Sequence, residues 1–373
     1  MRQLLKFTGC FTFLFMGLTK MSVCQTLVEN TSISIKPILG TQVLKNSEGL
    51  MHDKIYGLDL TYFKNISDKE DLWIKESRMS GYGFVLIMRN LNGINGLRDT
   101  AINSVGRAFG VTALGKFNIV KTKRFNWYLS PSGGVSYLTK SFFDHPKNRF
   151  IGSHMNITLS ADMGIEFPLT RYTNLSTGIG LLHYSNSGMI IPNGGLNTAQ
   201  IFIQLDLKKY SSTGTTKKFS NYLPLQKNSF EFGAGIGRRG IYERHEGIFR
   251  SGFYIGYNYR LNDAFVLKSG LDAVYYGTTY DPQKNLETFQ YYGSSYDKWR
   301  AGLSIGADLN LYRLTINVQT GKYIYYDRLY KKINRYWTFG PTYFITPHIG
   351  IQLKTYMHHT QADFLNYGML FKM

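Results

Sequence analysis

Thiols are nearly absent from this chain. Its two cysteines, Cys10 and Cys24, both fall within the first 24 residues. A disulfide framework, a cysteine metal site and a cysteine nucleophile are therefore excluded from everything that follows. Long apolar runs are missing too. No segment after the leader has the roughly 18 consecutive apolar residues of a transmembrane helix. Carboxylates are scarce beside cations, 24 Asp and Glu against 43 Lys and Arg, for a formal charge of +19. Such an excess looks for an anionic partner. Nucleic acid is the usual one, but a secretory leader argues against it, so no nucleic acid is expected. An outer leaflet crowded with lipopolysaccharide phosphates suits the address. A generally basic, solvated surface accounts for the charge as well. The eight histidines show no metal-ligand spacing, so no metal and no cofactor is expected.

The leader itself reads as a signal peptide over 1–24. Arg2 and Lys6 form a charged start, and Phe7 to Leu18 is an apolar stretch of about 12 residues, too short to span a bilayer. Ser22-Val23-Cys24 places small side chains before a cleavage that leaves Gln25 first. A lipoprotein reading of Cys24 has Met21 and Val23 against it. What remains is rich in Tyr (28), Phe (25) and Gly (38), with only 9 Pro. Aromatics favour strands and membrane interfaces, and Gly suits tight turns and narrow barrel interiors. The mean hydropathy of −0.21 suits a membrane barrel, in which only alternate residues face lipid.

Periodicity supports that reading. The first half divides into eight alternating segments at 31–44, 55–64, 81–90, 106–120, 125–139, 154–168, 174–186 and 197–209. In the sixth, Ile157, Leu159, Ala161, Met163, Ile165 and Phe167 alternate with Thr158, Ser160, Asp162, Gly164 and Glu166. A row of apolar residues with a polar or small row between them is the pattern of a transmembrane barrel strand. A soluble barrel has the same period, so leader, aromatics and loops carry the membrane case. Long polar connections at 45–54, 91–105, 140–153 and 187–196 alternate with short turns at 121–124 and 170–173, as extracellular loops alternate with periplasmic turns. The connection 65–80 breaks the rule: it is long where a short turn is expected. Residues 210–226 read as a polar linker. Eight further segments follow, at 228–238, 251–260, 264–276, 299–310, 313–326, 336–345, 348–357 and 363–373. The expected fold is all-β: an antiparallel transmembrane barrel of eight strands over 25–209, then a similar half over 227–373. The equal halves suggest a duplication. Two barrels in tandem are favoured by the interrupting linker, over one larger barrel.

One stretch carries chemistry. His183 and Ser185 lie two apart on the seventh segment, so both leave the same face, with Thr177, Ile179 and Leu181. That face is the lipid-facing row, and the pair sits at its outer end. On spacing alone, His-x-Ser is a common tripeptide and reads first as two polar residues at a strand end. Yet polar groups belong in the lumen, and an imidazole beside a hydroxyl is the arrangement of acyl transfer.

The wider string is His183-Tyr184-Ser185-Asn186, Gly188, Pro192-Asn193 and Gly195. It resembles the lipid A 3-O-deacylase (PagL) family of outer-membrane enzymes, over roughly 30–209. The resemblance implies an eight-stranded barrel that hydrolyses an ester-linked acyl chain of lipid A in lipopolysaccharide. It implies His183 as base and Ser185 as nucleophile, and it associates Asn186 with the oxyanion region. Gly188, Pro192, Asn193 and Gly195 complete the motif. The family's third member is a Glu that orients the His. Asn197 stands there instead, on the outward row one strand over, where it can hold a His tautomer without a charge. Asp162 and Glu166 point into the lumen and make poor substitutes. The second half does not repeat the site: Thr355 and Met357 occupy the places of His183 and Ser185, and His358 and His359 read as strand-end residues. Arg238-Arg239 and Lys331-Lys332 read as solvated loop charge, with anionic lipid as the other option. The expected function is an outer-membrane lipid A deacylase. The alternative is a non-catalytic barrel that binds lipopolysaccharide or serves as a structural or porin-like protein. Assembly stays open between a monomer and a homodimer.

Overall fold

A computed structural model describes residues 31–43, 52–67, 69–94, 105–146, 148–209, 226–240, 247–277, 298–326 and 334–373. The leader and almost all of the expected linker lie outside these residues. Sixteen antiparallel strands form two closed barrels. The first contains β1 (Thr31–Gln42), β2 (His52–Asn65), β3 (Met79–Asn90), β4 (Arg107–Lys121), β5 (Asn126–Leu138), β6 (Met155–Pro168), β7 (Thr173–Ser185) and β8 (Leu196–Lys209). The second contains β9 (Asn228–Gly240), β10 (Gly247–Arg260), β11 (Phe265–Tyr276), β12 (Trp299–Leu311), β13 (Leu314–Tyr325), β14 (Arg335–Phe344), β15 (Ile349–His358) and β16 (Gln361–Lys372).

Closure decides between one barrel and two. β8 returns to β1, with Thr31 opposite Lys209 and Gln42 opposite Thr198. β16 returns to β9, with Tyr367 opposite Ile236 and Lys372 opposite Glu231. Each half thus satisfies its own edge strands, which a sheet in lipid must do. The expected strand positions agree with the observed ones to within a few residues.

The rows sort as the alternation requires. On β6, Met155, Met163 and Ile165 are exposed, while Asn156, Thr158 and Asp162 are buried in the lumen. The first lumen has two zones. Towards the short-turn end, Lys36 Nζ lies 2.6 Å from Asp162 and 2.9 Å from Asp59, and Arg89 pairs with Asp59 at 2.5 Å. Lys116 pairs with Glu166 below them. These groups line a cavity of about 230 Å³. Towards the long-loop end, an apolar plug that includes Ile55, Leu91, Leu138, Ile151, Tyr184 and Leu196 fills the barrel. The second lumen is packed. Asp272 accepts hydrogen bonds from Lys354 Nζ (2.6 Å), Ser304 Oγ (2.8 Å), Tyr336 Oη (2.9 Å) and Tyr356 Oη (3.1 Å). Lys268 bridges Glu231 and Asp308.

The long connection 65–80 acquires a reason. It holds a short helix, α1 (Leu72–Ser77), which ends at Arg78 in the left-handed conformation (φ 57°). Trp73 and Ile74 pack with Ile66 and Met79, and Leu311 and Tyr312 of the second barrel close on this cluster. The Glu76 carboxylate accepts hydrogen bonds from the backbone N–H groups of Asp263 (2.7 Å) and Ala264 (3.1 Å). The insertion is the bracket that joins the two barrels at their short-turn ends.

Asp272 is the testable centre of the second barrel. Asp272→Ala leaves Lys354 buried without its counter-charge, a loss of about 3–5 kcal/mol. The expected result is a lower urea midpoint for the full chain in lipid vesicles, with the first barrel's strand content retained.

Candidate active site

Alternation on β7 and β8 places the site. Leu182 and Tyr184 point inward and are locked in the apolar plug, as is Leu196 on β8. The residues between them, His183, Ser185 and Asn197, are thereby turned outward. His183 and Asn197 are register partners across the β7–β8 ladder. His183 Nδ1 stands 2.7 Å from Asn197 Oδ1. Ile179 and Leu181, on the same row, are each 62% exposed, as lipid-facing residues must be. Asp162 and Glu166 are where the alternation puts them, in the lumen with Lys36 and Lys116.

Ser185 is the last residue of β7 and is 9% exposed. Two N–H donors converge on its Oγ: Asn193 Nδ2 at 2.8 Å and the backbone N of Ser187 at 3.1 Å. Asn193 is itself aimed, because its Oδ1 accepts the backbone N–H of Asn186 at 3.4 Å. No hydrogen bond joins Ser185 to His183 among the described residues, and His183 Nε2 is uncommitted.

The resemblance associates Asn186 with the oxyanion region, and the structure places it beside Ser185 with its side chain bonded within the loop. Its side chain is fully buried and turned into the loop. Nδ2 donates to Ser153 Oγ (3.0 Å) and Ile190 O (2.8 Å), and Oδ1 accepts the N–H of Gly188 (3.0 Å). The side-chain amide that meets Ser185 Oγ is that of Asn193. The motif includes Asn193 without a role, and the loop returns it to Ser185, eight positions earlier in the chain.

The β5–β6 connection was also missed as part of the site. Gly194 N donates to Arg149 O (3.1 Å) and Gly195 N to Phe150 O (3.0 Å). Gly152 packs so closely that a Cβ there would meet Ile190 O at 2.4 Å and Pro192 O at 2.5 Å. Phe150 and Ile151 anchor this strap in the apolar plug. The available signal was that apolar pair inside a polar loop. Gly195 is required twice over. Its φ is +75°, and a Cβ on it would stand 2.8 Å from His183 Cε1.

Among its described residues the second barrel repeats none of this. Thr355 is buried, and His358 is buried with Nε2 at 2.8 Å from Tyr323 Oη. Among the described residues, no group of three or more His, Cys, Asp or Glu side chains is placed to hold a metal.

Comparison with known proteins adds an independent line. The model of the family described as lipid A 3-O-deacylase (PagL) matches residues 57–206. The model described as acyloxyacyl hydrolase, C-terminal domain, matches residues 228–373. No curated protein matches the chain. Among solved structures, the outer membrane enzyme PagL is similar at 14% identity, covering 46% of this chain and 97% of its own, with a TM-score of 0.32. Neisserial surface protein A is similar at 10% identity, covering 48% and 96%, with a TM-score of 0.30. The two family matches correspond to the two barrels of an outer-membrane protein: the first barrel is of the lipid A 3-O-deacylase (PagL) family, and the second is matched by the acyloxyacyl hydrolase C-terminal domain.

Proposed function

We propose that this chain is an outer-membrane lipid A deacylase that cleaves an ester-linked acyl chain through Ser185 and His183. The single observation that carries the reading is the convergence at the outer end of β7. One nucleophile, two N–H donors and an oriented imidazole gather on a face turned to lipid.

The chemistry follows from the geometry. Asn197 Oδ1 is an acceptor, so the proton it faces is on His183 Nδ1. Nε2 is left with its lone pair and acts as the base. Ser185 Oγ attacks the ester carbonyl carbon and gives its proton to Nε2. Asn193 Nδ2 and the Ser187 N–H donate to Oγ in the resting site; once Oγ has bonded to carbon, they turn to the negative charge on the adjacent carbonyl oxygen. The tetrahedral intermediate collapses as Nε2–H protonates the departing sugar oxygen. Water, deprotonated by His183, then releases the fatty acid from acyl-Ser185. Asn197 holds the tautomer but lends no charge to the imidazolium, so this site works with a weaker orienting partner than a carboxylate would be. The expected lipopolysaccharide partner and outer-membrane address are those of this reading. The machinery lies within one chain, and a homodimer is compatible with it.

A second reading has one observation in its favour, the uncharged Asn197: a barrel that binds lipid A without cleaving it. Mass spectrometry of lipid A from cells expressing the chain separates the two. Wild type is expected to remove one ester-linked acyl chain, and Ser185→Ala to lower the rate on the order of 10⁶-fold. Lipid A that binds but keeps all its chains would leave the second reading standing. Asn197→Asp adds a charge opposite the imidazolium. It is expected to raise kcat roughly fivefold, the ratio for a gain of about 1 kcal/mol from a charged over a neutral hydrogen bond. Gly195→Ala drives a methyl group into His183 and is expected to lower kcat at least tenfold, about 1.4 kcal/mol. Its heat-modifiable mobility should show a folded barrel.

A further inference from the structure

Among the described residues the second barrel does not repeat the Ser185–His183–Asn197 arrangement, yet it reaches the 187–189 loop beside it. Gly188, three residues after Ser185, is placed so that a Cβ would lie 3.3 Å from Ala362 O on β16 and 3.6 Å from Arg239 Nη1 on β9. Tyr367 Oη, also on β16, donates to Met189 Sδ at 3.2 Å. The barrels are therefore held together at both ends, by α1 at the short turns and by the 187–189 loop at the long loops. Between those contacts the outward rows remain open. Ile179 and Leu181 below Ser185 are exposed, and so is Ile236 on β9.

Arg238 stands on that open row. Phe230, Phe232 and Ile236 mark the outward face of β9. Arg238 is the next outward position and is exposed. Ile236 is the register partner of Tyr367. Arg238 therefore lies two residues, about 7 Å along β9, beyond the register partner of Tyr367, towards the long-loop end. This end carries Ser185 in the first barrel. A strand's lipid-facing row is apolar in the hydrocarbon and tolerates Arg only near the interface. There a guanidinium meets phosphate head groups, and its planar fork binds phosphate oxygens in pairs.

We propose that the seam between the barrels is the substrate cleft. The first barrel supplies the chemistry, and Arg238 of the second holds a phosphate of the same acyl glycolipid whose ester lies at Ser185. This inference rests on the proposed deacylase reading for the identity of the glycolipid. It gives the second barrel a role that its lost motif leaves unexplained, and it makes Arg238 a specificity residue rather than a catalytic one.

The test separates binding from turnover. Binding of phosphorylated and of dephosphorylated lipid A is measured with the full chain carrying Ser185→Ala, in neutral detergent micelles. The same is done with Arg238→Gln added. Kd for the phosphorylated lipid is expected to rise about tenfold on Arg238→Gln. Removing the phosphates should weaken binding to the parent, and Arg238→Gln should then cost nothing further. Arg238→Lys should recover part of the loss. Equal Kd values with and without Arg238, or an equal loss on both lipids, would overturn the proposal. Neutral micelles remove bulk anionic lipid, so an arginine that serves only the surrounding membrane gives the equal-Kd result. The outcomes also distinguish the two readings. Phosphate-dependent binding through Arg238 in a chain that never releases fatty acid sinks the deacylase and keeps the cleft. Fatty-acid release without coupling to Arg238 does the reverse.

Discussion

An amide that finds no partner inside a bilayer costs several kcal/mol, and everything else in this protein follows from that constraint. A sheet in lipid has to close. The pairing of β8 with β1, and of β16 with β9, achieves closure twice in one chain. Closure also fixes the direction of every side chain. With the ladder complete, a residue points either to lipid or to lumen, and adjacent residues point oppositely. The lumen therefore collects the charges. Lys36, Asp59, Arg89 and Asp162 neutralise one another in the first barrel, and Asp272 gathers Lys354 and three hydroxyls in the second. A polar group on the lipid row has no such company. His183, Ser185 and Asn197 are on that row, and they partner one another or their own loop.

That logic is why so much was legible in the sequence. A two-residue period is a local property, and so are turn signals, so the strands could be placed from residues alone. The outward setting of His183 and Ser185 follows from the same parity. So does the position of Asn197 across the ladder, because a strand-to-strand partner is determined by parity and register together. The 65–80 connection was legible as an anomaly but not as a bracket. Its meaning depends on Asp263, Leu311 and Tyr312, nearly 200 or more residues away in the chain.

The loop chemistry was less legible, for a physical reason. Loops have no period, so the motif could say that Asn186 and Asn193 belonged near Ser185 without saying which amide faced it. The chain makes the choice through buried hydrogen bonds. Asn186 is spent on Ser153, Ile190 and Gly188, which shape the loop, and its backbone N–H orients Asn193. The residue adjacent to the nucleophile builds the turn, and the residue eight positions away presents the donor. The strap at 149–152 was marked only by its apolar pair, because its hydrogen bonds to the 194–195 turn use backbone atoms, which carry no residue signature.

Asn197 ties the site's geometry to its chemistry. A carboxylate at that place would be an ion on a lipid-facing row at the edge of the hydrocarbon, which costs more than a neutral amide does. The amide keeps the hydrogen bond to Nδ1 at 2.7 Å, and with it the tautomer that leaves Nε2 basic. What it gives up is stabilisation of imidazolium in the transition state. The donors at Ser185 are independent of that loss. Asn193 and the Ser187 N–H are held by the loop and the strap, not by the His–Asn pair. Under the proposed mechanism the site therefore separates two tasks: Asn197 orients the base, fixed dipoles serve the oxyanion side, and only the charge on the base goes uncompensated.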